Sequence, residues 1–267
     1  MGYETMIDVA ASSDKRGIAI QQVGVTGIYL PILMRRKGGG HDTVVSNTAL
    51  AVDLRHEFRG THMSRFLAIL NKWRQRPISR EEIGAILTET RNNLRADVAH
   101  LEMSFKYFIS KCAPVSGIDS LADYDVSFRG RQDDDEFRFQ FAVSVPVTAL
   151  CPCSKEISTY GAHNQRAVIN CAIELVAGRM LWIEDLVDIL SAQGSAQVYP
   201  LLKRSDEKFV TEYAYDHPKF VEDILRDTVT TLRTDARVAA FSVRVDSLES
   251  IHSHNVYASQ NEGLRPW

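Results

Sequence analysis

Hydrophobic residues along this chain switch between two rhythms, and the switches mark out its elements. Residues 17–33 are rich in β-branched side chains and punctuated by glycine, which predicts a strand, and residues 43–54 predict a second. Residues 35–40, Arg-Arg-Lys-Gly-Gly-Gly, read as the loop between them. Then the period lengthens. Met63, Phe66, Leu67, Leu70 and Trp73 recur at helical spacing, with Thr61 placed to cap. A second helix is predicted over about residues 79–96, where Ser79 followed by Glu82 has the form of a capping box. Period two returns over about 99–112 and 124–147, the latter turning over the acidic run 131–135, which reads as a solvated hairpin tip.

The second half repeats the order. Residues 167–176 predict a strand, 182–190 and a stretch from about Asp206 predict helices, and Pro218 stands where the first turn of a further helix begins. Residues 237–248 and 255–258 predict closing strands. The chain is thus duplicated in pattern though not in residues. Helices held between antiparallel strand pairs imply an α+β layer architecture. In the last helix Phe220, Val221, Ile224, Leu225, Val229 and Leu232 form one apolar arc. Glu222 falls about 20° beyond the edge of that arc, whereas Asp223 and Asp227 point away. A carboxylate on such a border is either an exposed flank residue or a partly desolvated acceptor for a ligand, and periodicity leaves both open.

Composition narrows the class. The 267 residues are 45% hydrophobic and 24% charged, an ordinary globular balance. A chain of this length buries roughly three quarters of its surface, as one large domain or two fused units. No apolar run reaches the ~18 residues of a membrane span, and residues 1–16 lack a hydrophobic signal core. Sparse cysteines without a signal predict a reducing cytoplasm. A net charge of −3 argues against a general nucleic-acid binder, so an anionic ligand needs a local cluster of cations.

The densest chemistry lies in residues 151–167, which carry Cys151, Cys153, His163 and an Asn-Gln-Arg group suited to gripping a polar substrate. Thiolate sulfur and imidazole nitrogen hold zinc and similar ions, and a metal with fewer than four protein ligands keeps a position for water. A Cys-x-Cys pair does not readily close a relaxed disulfide. Cys112 and Cys171 lie in apolar runs and read as small buried residues. No spacing here matches a paired Cys-x-x-Cys zinc module, so the residues alone leave a structural Cys-Pro-Cys open beside a metal site.

Cys151-Pro-Cys-Ser-Lys-Glu-Ile-Ser followed by Gly-Ala-His163-Asn-Gln-Arg166 resembles the type IB GTP cyclohydrolases, a metal-dependent branch that opens the folate pathway. Four further blocks agree in order: Arg59–Phe66, Lys203–Glu212, Pro218–Asp223 and Glu249–His254, so the likeness runs from about residue 20 to 262. The resemblance implies a tunnelling fold built of two ββααββ modules, about residues 17–148 and 149–262. It implies sheets paired across subunits into barrels, a homotetramer, and active sites at subunit boundaries. Neither nucleic acid nor membrane is an expected partner.

Carried over by position, the resemblance makes Cys151, His163 and Glu207 ligands of a divalent ion (zinc, manganese or iron), with Cys153 left open as a further donor. The implied reaction opens the imidazole ring of GTP at carbon 8 and yields formate and 7,8-dihydroneopterin triphosphate. Alongside Cys151 as a catalytic residue, Glu249 and His252 are the candidates for proton transfer. Glu222 is matched to the guanine N–H groups, and Lys203, Arg204, Arg65 and His254, with Arg166 behind them, to the triphosphate; His62, beside Arg65, is matched to substrate at a neighbouring site. Three other readings stand beside this one: an archaeal-type relative releasing a cyclic phosphate, a non-catalytic oligomer with a closed metal site, and nucleotide binding without turnover.

Overall fold

A computed structural model describes residues 12–267, which gather into two compact units. The sequence reading of residues 1–16 falls mostly on residues 1–11, outside the described residues. Among the described residues no helix is long and apolar enough to cross a membrane.

The first unit holds residues 12–105 and Ser127–Phe139. Strands β1 (Ile20–Arg35) and β2 (His41–Leu54) pair antiparallel around a turn in which Gly39 and Gly40 take φ of +90° and +75°, values that glycine adopts without strain. Helix α1 (Met63–Trp73), the two-residue β3 (Pro77–Ile78) and helix α2 (Arg80–Leu94) follow, then β4 (Ala99–Cys112) and β5 (Asp119–Gln132), of which Ala99–Phe105 and Ser127–Gln132 belong to this unit. β3 lies parallel to β1, and β2 pairs antiparallel with β4. Period two sets the core here: in β4, Ala99, Leu101, Met103 and Phe105 are buried while Glu102 and Ser104 face solvent. β5 approaches α2 so closely that a methyl at Gly130 would lie 2.7 Å from Ile83 Cγ2 and 2.9 Å from Leu87 Cδ1.

The second unit holds Lys106–Val126 and Gln140–Trp267. Its elements are β6 (Phe137–Leu150), α3 (Pro152–Ile157), β7 (Asn164–Leu175), α4 (Ile183–Ser191), β8 (Ala196–Gln197), α5 (Arg204–Asp216), α6 (Val221–Thr234), β9 (Val238–Ser247) and β10 (Val256–Glu262). β6, β7, β9 and β10 pair in that order, all antiparallel, and β8 pairs with β6. Alternate residues of β6, from Phe141 to Ala149, are buried. α6 packs across β9 and β10 through Val221, Ile224, Val229 and Leu232.

The rhythms found the long elements, and the differences have local causes. His62, not Thr61, caps α1, without a side-chain bond. Ser79 caps α2 by accepting the Glu81 N–H at 3.2 Å, one residue earlier than the capping-box reading. Pro218 lies ahead of α6, which begins at Val221. There the Phe220 N–H donates to Asp223 Oδ2 at 3.1 Å, which leaves the Phe220 ring in solvent rather than in the apolar arc. Cys171 is buried, and burial pushes its thiol up to about 12. Cys112 is instead exposed: it shares the solvent parity of β4, and its thiol donates to Asp119 Oδ1 at 2.8 Å.

Candidate active site

Antiparallel register assembles the site at one end of the second unit's sheet. The last β6–β7 pair is Leu150↔Asn164, so Cys151 and His163 face each other one step further on, and the Cys151 N–H donates to the His163 carbonyl at 3.1 Å. β7 and β9 pair through Ala167↔Ser247, which by the same count sets Gln165 opposite Glu249. Three neighbouring strand ends thus deliver a thiol, an imidazole, an amide and a carboxylate. The amide links two of the others. Gln165 Oε1 lies 2.7 Å from His163 Nδ1, and Gln165 Nε2 donates to both Glu249 oxygens at 3.2 and 3.3 Å. Ser247 Oγ donates to Glu249 Oε1 at 2.8 Å.

The connection from Cys151 to His163 is closed by its own polar groups. Cys151 is the N-cap of α3, with Pro152 at the first helical position, where its missing N–H costs nothing. The Ser154 N–H points at Cys151 Sγ at 3.4 Å, and Ser154 Oγ accepts the His163 N–H at 3.1 Å.

Two helices converge on the end of β6. Ala214 and Val210 of α5 pack with Leu150, Ala196 and Ala162. Glu207, Val210 and Ala214 recur at helical spacing and share that face of α5. Lys155 Nζ donates to the Tyr215 carbonyl at 2.5 Å, tying α3 to the far end of α5. Asp206 fixes the near end. Burial alone would raise its carboxyl, but it accepts the N–H groups of Val115, Ser116 and Lys203 and the Ser116 hydroxyl, all at 2.7–2.9 Å. These bonds outweigh burial and hold it well below the usual carboxylate range. The lead-in to α6 is tied the same way: the Lys219 N–H donates to the Leu150 carbonyl at 3.0 Å, three residues before Glu222.

The expected site residues fall into distinct groups. Cys151, His163 and Glu249 stand on neighbouring strand ends, and Arg166 follows on β7 with its carbonyl accepting the Leu248 N–H at 2.9 Å. Cys153 is exposed on α3. Lys203, Arg204 and Glu207 are exposed at the start of α5, and Glu222 is exposed in the first turn of α6, the flank position of its two alternatives rather than the partly desolvated one. His252 and His254 follow β9, their rings stacked at 5.2 Å between centroids. His62 and Arg65 belong to the first unit, where Arg65 donates to the Asn93 carbonyl at 2.8 Å. Among the described residues no three His, Cys, Asp or Glu side chains are drawn together around a common point. The donor chemistry nonetheless fits a metal: a thiol receiving an N–H, an imidazole held through one nitrogen with the other available, and a carboxylate on a helix packed to the same strand end. In the sequence Gln165 stands out only as part of the Asn-Gln-Arg group, without a role of its own. Its signal was there, since residues 163 and 165 lie on one face of a strand.

Comparison with known proteins bears on this constellation. The family described as "Type I GTP cyclohydrolase folE2" matches residues 6–258. The chain is 49% identical over 252 residues to GTP cyclohydrolase FolE2 of Azoarcus sp. (strain BH72), covering 94% of this chain and 93% of that protein. It is 45% identical over 258 residues to GTP cyclohydrolase FolE2 of Magnetococcus marinus, covering 97% and 96%. Among solved structures, it is similar to uricase from Arthrobacter globiformis, with a TM-score of 0.53, 9% identity, and 92% and 95% of the two chains covered. A uricase from Bacillus fastidious aligns with a TM-score of 0.51, also at 9% identity, over 90% and 93%. At that identity the likeness speaks to the fold alone, a tunnelling fold.

Proposed function

The chain belongs to the type I GTP cyclohydrolase FolE2 family, and from that premise we propose how it acts. It is a hydrolase, a GTP cyclohydrolase of folate biosynthesis. In our reading it opens the guanine imidazole ring of GTP at carbon 8, releases that carbon as formate and recloses the product as 7,8-dihydroneopterin triphosphate. The observation that carries this reading is the strand-end register, which brings Cys151, His163 and Glu249 to neighbouring positions.

Cys151, His163 and Glu207 would hold a divalent ion, with Glu207 contributed by an exposed side chain that retains rotamer freedom. Zinc, manganese and iron all accept such a mixed set. Bound there, the ion supplies Lewis acidity, which brings water to nucleophilic strength near neutral pH. The protein's own groups do the rest. Carbon 8 is a poor electrophile until the neighbouring ring nitrogen is protonated, and Glu249 and His252 are the groups for that transfer. Glu249 is well suited: Ser247 and Gln165 orient its carboxylate. Glu222 accepts the guanine ring N–H and exocyclic amine, a donor pair that adenine lacks. Lys203, Arg204, Arg166 and His254 supply charge for the triphosphate, and in this reading Arg65 and His62 reach the site of a neighbouring subunit.

We place the active sites at the boundaries of a homotetramer whose sheets close into barrels, with modules at about residues 17–148 and 149–262. Ile157 at the end of α3, Tyr160 just after it and Ile251 after β9 are exposed beside the site, which supports a covering subunit. The test is direct. Purified protein incubated with GTP and Zn²⁺ or Mn²⁺ should release formate together with pterin fluorescence. Mass spectrometry should find the linear triphosphate; a cyclic phosphate product would move the chain to the archaeal-type reaction. Bound GTP without formate would defeat the enzymatic reading.

A further inference from the structure

Building on that function, we infer that Gln165 is a positioning residue that locks His163 in the Nδ1–H tautomer and couples the metal ligand to the proton-transfer carboxylate. A carboxylate such as Glu249 only accepts hydrogen bonds. Both its oxygens lie within 3.3 Å of one end of the Gln165 amide, so that end is the NH₂ group. The reverse orientation would set a carbonyl against a carboxylate. The amide oxygen therefore faces His163 Nδ1 at 2.7 Å, and a hydrogen bond there requires Nδ1 to carry the proton. In the neutral imidazole Nε2 then holds the lone pair. That is the nitrogen a metal takes.

The amide is itself fixed. Gln165 occupies a paired strand end, Ser247 Oγ lies 3.5 Å from its nitrogen, and the same hydroxyl donates to Glu249 Oε1. Ser247 is buried, so this orientation does not depend on surface side chains. Four side chains are thus connected, Ser247, Glu249, Gln165 and His163, ending at the outer ring nitrogen of His163. Partners of this kind set ring orientation, and their loss typically costs about 10- to 100-fold in metal affinity.

Two substitutions separate the halves of the role. Gln165→Met keeps the length and removes both bonds. Gln165→Glu keeps an acceptor for His163 Nδ1–H and replaces the donor to Glu249 with a like charge. The first measurement is nitrogen NMR of His163 in metal-free protein at a pH where the ring is neutral. Wild type and Gln165→Glu should give the Nδ1–H signature, and Gln165→Met should shift toward Nε2–H. Zinc affinity, from competition with a chelator, should fall about 10- to 100-fold in Gln165→Met and stay within about threefold of wild type in Gln165→Glu. Turnover of the zinc-saturated enzyme should fall in both, with the Gln165→Glu loss in kcat rather than KM. An Nε2–H tautomer in wild type would overturn the inference even if Gln165→Met failed to fold; so would wild-type zinc affinity in a folded Gln165→Met. A wild-type protein that releases no formate would defeat the proposed reaction, while tautomer and affinity would still decide the role of Gln165.

Discussion

Gly194→Ala should damage the site from a distance, because no room exists for one methyl. An added Cβ would lie 2.5 Å from Val147 Cβ, 2.9 Å from Val147 Cγ2 and 3.0 Å from the Thr148 carbonyl oxygen. Carbon pairs rest at roughly 3.5–4.0 Å, so about 1 Å of separation has to be found. Val147 is fully buried and its Cβ is fixed by the backbone, so a rotamer change gives no relief and the loop or β6 moves. Overpacking of this kind costs about 1–3 kcal/mol. At about 2–4 °C per kcal/mol, the thermal midpoint should fall by about 2–12 °C. The displaced segment matters: the Ser195 N–H donates to the Thr148 carbonyl at 2.8 Å, and Ser195 Oγ accepts the Leu150 N–H at 3.1 Å, one residue before Cys151. A shift near 1 Å there should lower formate release by about 10- to 100-fold. Gly38→Ala is the control. It faces open space, and its midpoint should stay within the shift expected for about 0.5 kcal/mol. A Gly194→Ala protein with wild-type midpoint and turnover would refute the reasoning.

Three other perturbations follow. Glu222→Ala should raise the KM for GTP by about 10- to 100-fold, since a hydrogen bond to a charged acceptor is worth about 1.5–3 kcal/mol, while bound metal is unchanged. Retained preference for GTP over ATP would count against that role. Lys111 is pushed down to about 8 from its ordinary 10.5 by burial, against the opposing charge of Asp188. Between those values the unfolded chain binds more protons, so stability should rise with pH across that window, and Lys111→Met should abolish the rise in pH-dependent thermal melts. Asp206 is held below the carboxylate range by its hydrogen bonds, so its contribution is present above its ordinary 3.8 and is lost as pH falls below it. Asp206→Asn should melt earlier at neutral pH, with the gap narrowing in acid; a gap independent of pH would remove the carboxylate's charge from the explanation.

Period-two burial made the strands legible, and β4 spans the same residues, 99–112, that its alternation predicts. The arc on α6 was equally readable, and the border position of Glu222 appears as an exposed side chain in its first turn. What the rhythms do not encode is register. That Cys151 faces His163 and Gln165 faces Glu249 follows from strand pairing between segments up to about eighty residues apart, which no local window contains. The six-residue α3 was missed because it is too short to show a period, and the Pro152 that starts it reads locally as a turn signal. The exposed Cys112 was misread because an apolar neighbourhood says less than strand parity: counting by two from buried Met103 leaves residue 112 on the solvent face. The same count pairs His163 with Gln165 and Ser247 with Glu249, so the hydrogen-bonded line needed only the correct period and the pairing.

The central claim is that a sulfur, an imidazole and a carboxylate of this chain share one ion. X-ray absorption at the metal edge of zinc-loaded protein tests it most directly, read on wild type and Cys151→Ala side by side. The account predicts a sulfur contribution at about 2.3 Å beside nitrogen and oxygen at about 2.0–2.2 Å, with that sulfur and most of the bound zinc lost in the variant. A wild-type shell without sulfur, or zinc and sulfur both retained by Cys151→Ala, would contradict it.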